Sequence, residues 1–274
     1  MPRISVIIAT MNVDNLIEKT LTSIISQTLK DIQIIVVDGS STDNTLDILH
    51  KYRKHISTLI SEPDTGIYDA WNKAIPFINS NWVQFLGAGD ILASNDLYEK
   101  MTFYLNNAFP KHNMVYGNLL LMSEHTNEVF EKISIAPENV MKLFTEGRFV
   151  TPIHPETFCH ISTLKKYKFD EKYTFSGDYK FMVQSLSEKP PLYIDINVDK
   201  MIAGGQSNDK KNILKIYNES QRVNKELSIK IPLIHTFQIY IILNFKFLLY
   251  KIFHKNILSF LINFKRFLLR KNPY

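Results

Sequence analysis

Four short apolar runs in the first ninety residues each break off at polar residues, and segments of helical spacing fill the gaps between them. Ile4–Ala9 and Ile32–Val37 are continuous and rich in β-branched residues, as buried parallel strands are. Ser57–Ser61 is a weaker run, and Trp82–Leu86 is the fourth. Between the first two, Leu16, Ile17, Leu21, Ile24 and Ile25 share one helical face, with Asp14 placed to cap it. Leu46, Ile48 and Leu49 mark a second helix, and residues 70–78 a third. Repeated β-α-β units with short connections predict an α/β fold with a parallel, doubly wound sheet and right-handed crossovers.

The polar residues stand where such a sheet holds ligands. Thr10 and Asn12 follow the first strand, Asp38 the second, Glu62 and Asp64 the third, and Asp90 the fourth. All fall at carboxyl ends of strands, the binding edge of open α/β sheets. A single Asp there is ordinarily a turn former, but four successive strands ending this way point to a ligand site. Several chemistries are excluded. The turn after the first strand, IATMN, has no G-x-G-x-x-G, and neither a P-loop nor a G-x-S-x-G elbow occurs.

The second half is less regular. Met114–Leu121, Asn127–Ile133 and Pro191–Val198 read as strands. Phe181, Met182 and Leu186 mark a helix, and Gly204, Gly205, Gln206 and Ser207 a turn. At 45% hydrophobic and 22% charged, the chain predicts a packed core. Cys159 is the sole cysteine, which rules out an internal disulfide or a zinc cluster and fits a reducing compartment. It reads as a packed thiol rather than a nucleophile. MPRISVIIAT lacks the features of a signal peptide, so a cytoplasmic location is expected.

The net charge of +5 is unevenly spread. Eight basic residues and no acidic one follow Glu226; without them, acidic residues outnumber basic ones. Residues 231–245 carry no formal charge but are too short and mixed for a membrane span. As a helix, residues 240–269 would gather Lys251, Lys255, Lys265, Arg266 and Arg270 on an arc of about 140°. Interleaved with Ile, Leu and Phe, these charges suit an anionic membrane surface rather than nucleic acid. The expected organisation is a domain over 1–225, in two halves that divide near 110. A basic amphipathic helical tail follows over 226–274.

SVIIATMN, IQIIVVDGSSTDNT, SEPDTGIYDAWNKAI, FLGAGD and SGDYKFM occur in the order seen in GT-A-fold family 2 glycosyltransferases. Over roughly residues 3–207 the chain resembles the bacterial enzymes of that family that build capsule, lipopolysaccharide O-antigen and colanic-acid-type polysaccharides. The resemblance implies a GT-A fold, Rossmann-like with a mostly parallel sheet. It also implies an inverting hexosyl- or N-acetylhexosaminyl-transferase. A UDP-sugar would be the favoured donor, bound in the nucleotide-binding half (1–110). A saccharide, lipid-linked in kind, would be the acceptor, bound in the acceptor-binding half (111–225), with the tail holding the enzyme at the inner face of the plasma membrane. Thr10, Asn12 and Asp38 would line the base and ribose pocket, with Asp38 accepting from a base N–H. Asp64, Gly66, Asp69 and Asn72 would face ribose and diphosphate. Asp90 takes the last place of the family's D-A-D-D metal motif, which reads Gly87-Ala88-Gly89-Asp90 here, and would hold Mn2+ or Mg2+. Asp178 matches the catalytic carboxylate, which usually reads E-D or A-D and here reads Gly177-Asp178. His154 and the turn of Gly204, Gly205 and Ser207 are candidates for acceptor contact or loop closure, although for His154 a structural role competes.

The chemistry agrees with these roles. A diphosphate leaving group departs more easily when its charge is neutralised, and Mg2+-type sites often take only one or two protein carboxylates. A hydroxyl acceptor needs a general base at neutral pH. Two alternatives stay open from sequence. One is a sugar nucleotidyltransferase, whose glycine-rich loop with following Arg and Lys is missing. The other is a non-catalytic sugar-nucleotide-binding assembly protein, suggested by the reduced metal motif.

Overall fold

Continuous apolar sequence becomes strand and spaced apolar sequence becomes helix. The computed structural model describes residues 4–123, 126–136, 138, 140, 151, 152, 154–202 and 212–229. In it β1 (Ile4–Thr10) runs parallel to β2 (Ile32–Asp38), with Ile4 opposite Ile32 and Thr10 opposite Asp38. β3 (Thr58–Ser61) lies beyond β2, and β4 (Trp82–Gly87) pairs with the other side of β1, both parallel. Helices α1 (Ile17–Ile25), α2 (Thr45–Lys51) and α3 (Ile67–Ala74) make the crossovers.

Successive strand residues serve opposite faces. Ile4, Val6, Ile8, Ile34 and Val36 enter one apolar cluster with Ile17, Leu21 and Ile24 of α1 and Leu97, Met101 and Leu105 of α4 (Leu97–Ala108). Ile7, Ile35 and Val37 enter a second cluster, with Tyr68 and Trp71 of α3. Leu164 of α5 (Ile161–Tyr167), Phe181 of α6 (Gly177–Glu188) and Val223 of α7 (Ile213–Glu226) complete that second layer. Each fully buried aliphatic side chain contributes about 1.5–3 kcal/mol before the entropy of ordering it.

Beyond β4 the expectation of a mostly parallel sheet gives way to a mixed one. β8 (Thr157–His160) lies antiparallel to β4 and, on its other side, to β6 (Met114–Met122). β9 (Leu192–Ile202) runs parallel to β6, and the two-residue β5 (Ile91–Leu92) closes that edge antiparallel to β9. The order is β3-β2-β1-β4-β8-β6-β9-β5, with β7 (Val129–Ile133) paired antiparallel to β6. The physical reason is β8: its four residues are all buried, so it joins β4 to β6 within the one sheet without an alternating pattern to announce it. Cys159 sits there, opposite Val83 and Met114, and burial pushes its thiol up to about 12.

A smaller correction concerns Asp14. Helix α1 starts at Ile17 with Leu16 at its cap and no side-chain capping bond. Asp14 instead joins the neighbouring loop, donating its N–H to Asp43 Oδ2 at 3.2 Å and accepting from Asn44 Nδ2 at 3.3 Å. Among the described residues, no helix is long and apolar enough to cross a membrane. Gly204, Gly205, Ser207 and the tail from residue 230 lie outside the described residues.

Candidate active site

The parallel register delivers Thr10, Asp38 and Ser61 side by side at one edge of the sheet. Asp38 is fully buried there. Its Oδ1 accepts from Thr10 Oγ1 at 3.1 Å and from Ser41 Oγ at 2.5 Å. Its Oδ2 accepts from the Ser41 N–H and Ser61 Oγ, both at 3.0 Å. Four donors on two oxygens match the acceptor capacity of one carboxylate, so a base N–H reaching Asp38 must displace one. Ser41 and Ser61, which sequence reasoning passed over, are the residues that fix this carboxylate. Asn12 ties the loop after β1 to the loop after β2. Its N–H donates to Ser41 Oγ at 2.8 Å and its Oδ1 accepts from the Thr42 N–H at 2.8 Å. It does so at φ 52°, a left-handed conformation that Asn tolerates.

The loop after β3 closes against the same edge. A Cβ at residue 39 would overlap the Asp64 carboxylate, so Gly39 is what lets these two loops meet. Asp64 Oδ1 accepts from the Gly66 N–H at 3.0 Å, and Gly66 has φ 138°, open only to glycine. Asp69, in the first turn of α3, reaches back to the Thr65 N–H at 2.9 Å and pairs with Lys73 at 3.4 Å. Asn72 turns away from the strand edge: it donates to Phe169 O at 2.8 Å and accepts from the Phe169 N–H at 2.9 Å. The Asn72 amide is thus committed within the protein and the Asp69 contacts all fall on Oδ2, while Asp64 keeps a carboxylate oxygen against the β2 loop.

Asp90 stands just past β4, and its side chain closes its own turn. Oδ2 accepts from the Gly87 N–H at 2.7 Å, and the Asp90 N–H donates back to Gly87 O at 3.2 Å. This accounts for the glycines at the motif's usual acidic positions. Gly89 has φ 102°, where any other residue is strained, and a Cβ on Gly87 would lie 3.1 Å from Asp90 Oδ2. The carboxyl is nearly buried, and burial raises it to about 7. A second carboxyl stands behind it: Asp199, on β9 opposite Leu92, is fully buried, and neither of its oxygens has a hydrogen-bond partner among the described residues. Burial first, then the charges of Asp90 and Glu156, push Asp199 well above the carboxylate range. Among the described residues no three metal-ligating side chains converge. The donor set therefore fits a cation held by Asp90 with phosphate and water as its other ligands, not an all-protein cage.

Asp178 lies in the first turn of α6, half-buried. Its Oδ1 accepts from Tyr68 Oη at 2.9 Å and from the Tyr179 N–H at 2.7 Å. Burial raises its pKa, which the two hydrogen bonds counter and the Glu219 carboxylate reinforces. Glu219, on α7, braces the approach to α6 by accepting from the N–H groups of Thr174, Phe175 and Ser176 at 2.8–3.1 Å. Tyr68 and Glu219 were not visible as site residues in the sequence, because their partners are remote along the chain.

His154 lies in the apolar core. It is 4% exposed, inside a box of Trp71, Phe85, Phe169 and Phe181 with ring centroids 5.0–6.1 Å away. Neither ring nitrogen has a hydrogen-bond partner among the described residues, and burial lowers its pKa to about 3. It is a neutral core histidine.

Known proteins resemble this chain in sequence and in fold. The chain is 34% identical over 125 residues to a PGL/p-HBAD biosynthesis glycosyltransferase of Mycobacterium bovis, covering 44% of this chain and 48% of that protein. It is 27% identical over 203 residues to a poly(ribitol-phosphate) beta-glucosyltransferase of Bacillus spizizenii, covering 65% of this chain and 32% of that one. The chain thus spans about half the length, or less, of these curated relatives. Among solved structures, S. aureus TarS 1-349 in complex with UDP-GlcNAc superposes with a TM-score of 0.65 at 16% identity, covering 96% of this chain and 77% of that one. A mannosyltransferase from Pyrobaculum calidifontis, in complex with GDP-Man and Mn2+, gives 0.59 at 17%, covering 81% and 64%. These two likenesses establish the GT-A-like fold. Residues 5–173 match Glycosyl transferase family 2 throughout, and the chain belongs to that family.

Proposed function

We propose that this protein transfers a sugar from a nucleotide-sugar donor to a saccharide acceptor in bacterial glycan or glycoconjugate synthesis, with inversion at the anomeric carbon. The observation that carries the reading is one edge of one sheet. Thr10, Asp38, Asp64 and Asp90 gather at the ends of parallel strands, and Asp178 is tied to the same region through Tyr68. Thr10, Asn12 and the Asp38 cluster form the floor for base and ribose. Asp64 and the Gly66 turn flank the diphosphate. Asp90 would hold Mn2+ or Mg2+, which when bound neutralises charge on the leaving diphosphate. Asp178 takes the acceptor proton as the hydroxyl attacks from the face opposite the leaving group. One carboxylate in that position supports direct displacement. A UDP-sugar is the favoured donor, since S. aureus TarS 1-349, which covers 96% of this chain, was captured with UDP-GlcNAc.

The basic tail supports placement at a membrane. Each Lys or Arg near an anionic surface contributes about 1 kcal/mol, and the apolar residues between them add burial. That placement would set the site beside a lipid-linked acceptor.

A panel of UDP-, GDP- and dTDP-sugars, screened by thermal shift with and without Mn2+, tests the reading, because a ligand bound only by the folded state raises its melting temperature. One sugar nucleotide should stabilise the protein with Mn2+ present and be slowly hydrolysed to a product of inverted anomeric configuration. No stabilisation by any of them, or a retained configuration, overturns the proposal.

A further inference from the structure

The hydroxyl that grips Asp178 comes from the donor half of the molecule. Tyr68 follows the Gly66 turn on α3 and is only 5% exposed. Its ring is held on three sides. It stacks on Phe169 with centroids 6.0 Å apart and meets Trp71 edge-on at 5.7 Å. On the third side it lies against the backbone of residue 177, where a Cβ would come within 2.7 Å of the ring carbons Cδ2 and Cε2. Glycine at 177 is what gives the ring its place. A ring so enclosed has one position for its hydroxyl, and that position is 2.9 Å from Asp178 Oδ1. The Tyr179 N–H donates to the same oxygen, so both hydrogen bonds fall on Oδ1.

We propose that Tyr68 is a positioning residue for sugar transfer, orienting the Asp178 carboxyl so that Oδ2 receives the acceptor proton. The inference rests on the reading of Asp178 as the base. In the step, the acceptor hydroxyl gives its proton to Oδ2 as its oxygen bonds to the anomeric carbon. The bond from that carbon to the diphosphate oxygen breaks, and its electron pair leaves with the nucleoside diphosphate. Tyr68 keeps its own proton throughout; burial and then the Asp178 charge hold its hydroxyl far above the ordinary range. Because Tyr68 sits two residues past Gly66, the turn beside the donor and the hydroxyl that orients the Asp178 carboxyl share one short helix.

The groups facing Asp178 are the Tyr68 hydroxyl from α3, the Tyr179 N–H on its own helix and the Glu219 carboxylate from α7. Removing the hydroxyl leaves the Glu219 repulsion and the burial in place, so the Asp178 carboxyl must titrate at higher pH. Tyr68→Phe, Gly177→Ala and Asp178→Asn test this. Carboxyl-carbon NMR of Asp-labelled protein, with the Asp178 signal identified by its loss in Asp178→Asn, should show that signal titrating higher in Tyr68→Phe. UDP affinity should stay at the wild-type value by calorimetry. Hydrolysis of UDP-glucose and GDP-mannose should slow by about 10-fold, the worth of one hydrogen bond to a charged group, with its acid limb displaced upward. Gly177→Ala keeps the hydroxyl but displaces the ring, and should reproduce both effects even where Tyr68→Phe folds poorly. An unmoved Asp178 signal with unchanged rates in Tyr68→Phe or Gly177→Ala overturns the positioning role alone. Wild-type rates in Asp178→Asn overturn the base reading itself, whatever the NMR signal does.

Discussion

The side-chain amide of Asn72 pairs with the backbone of Phe169 as a neighbouring strand would, accepting from its N–H at 2.9 Å and donating to its carbonyl at 2.8 Å. Its Nδ2 also donates to Glu171 Oε1 at 2.7 Å. Two segments 97 residues apart are clipped by one amide.

Asn72→Ala should therefore act on stability. It leaves a nearly buried N–H and carbonyl without partners, at a cost of about 2–3 kcal/mol. Urea denaturation should show a lower midpoint with an unchanged slope. A variant as stable as wild type but weakened in UDP binding would return Asn72 to the donor pocket.

Asp90→Asn separates charge from shape. The amide oxygen can still accept from the Gly87 N–H, so the turn survives, while the negative charge is lost. Mn2+-dependent binding of UDP should weaken by roughly 10-fold or more, and metal-free binding should change little. Calorimetry with and without Mn2+ reads both. Equal losses in the two conditions would place Asp90 on the nucleotide rather than on a metal.

The fate of Asp199 shows in pH dependence. Its pKa is raised in the folded protein, so between the ordinary value near 3.9 and the folded value the native state binds the extra proton. Stability is then fully present at low pH and falls as pH rises, by up to about 1.4 kcal/mol per unit. Asp199→Asn should flatten that fall above the ordinary carboxylate range, measured by melting temperature in chelator. A wild-type slope in the variant would mean that Asp199 is ionised in the native protein.

His154 works in the opposite direction. Its folded pKa of about 3 lies below the ordinary 6.5, so the unfolded chain binds the extra proton across that range. Stability is lost as pH falls through it, again by up to about 1.4 kcal/mol per unit. His154→Phe should remove this acid sensitivity and keep sugar transfer, since the ring faces Trp71, Phe85, Phe169 and Phe181. Loss of transfer in a stable His154→Phe protein would reopen an acceptor role.

The β3-β2-β1-β4 half was legible because each strand is a continuous apolar run with a polar stop, and polar stops on parallel strands share an edge. The other half was not. β8 has four residues and β5 two, too few for a period to emerge. The strand read as ending at Val198 runs on to Ile202, and so takes in Asp199. Asp178 was marked by its motif, but Tyr68 stands 110 residues away and nothing local pairs them. The glycines told the reverse story. Gly87, Gly89 and Gly177 looked like losses from an acidic pattern. Each instead makes room, for the Asp90 carboxylate, for a turn of positive φ and for the Tyr68 ring.

The antiparallel seam between β4 and β8 has a mechanical consequence. Each strand from β3 to β5 is hydrogen-bonded to the next, so the parallel strands β1–β4 and the strands beyond β8 form one plank. Such a plank has no crease along which two lobes could fold together, unlike enzymes that close by rotating domains about a hinge. Reactants must then be brought into line by the rim, through loops and short helices such as α3 whose side chains reach across. Catalytic alignment here becomes a matter of a few side-chain tethers spanning a stiff floor. Stiffness of the floor lets a single hydroxyl set where a proton goes.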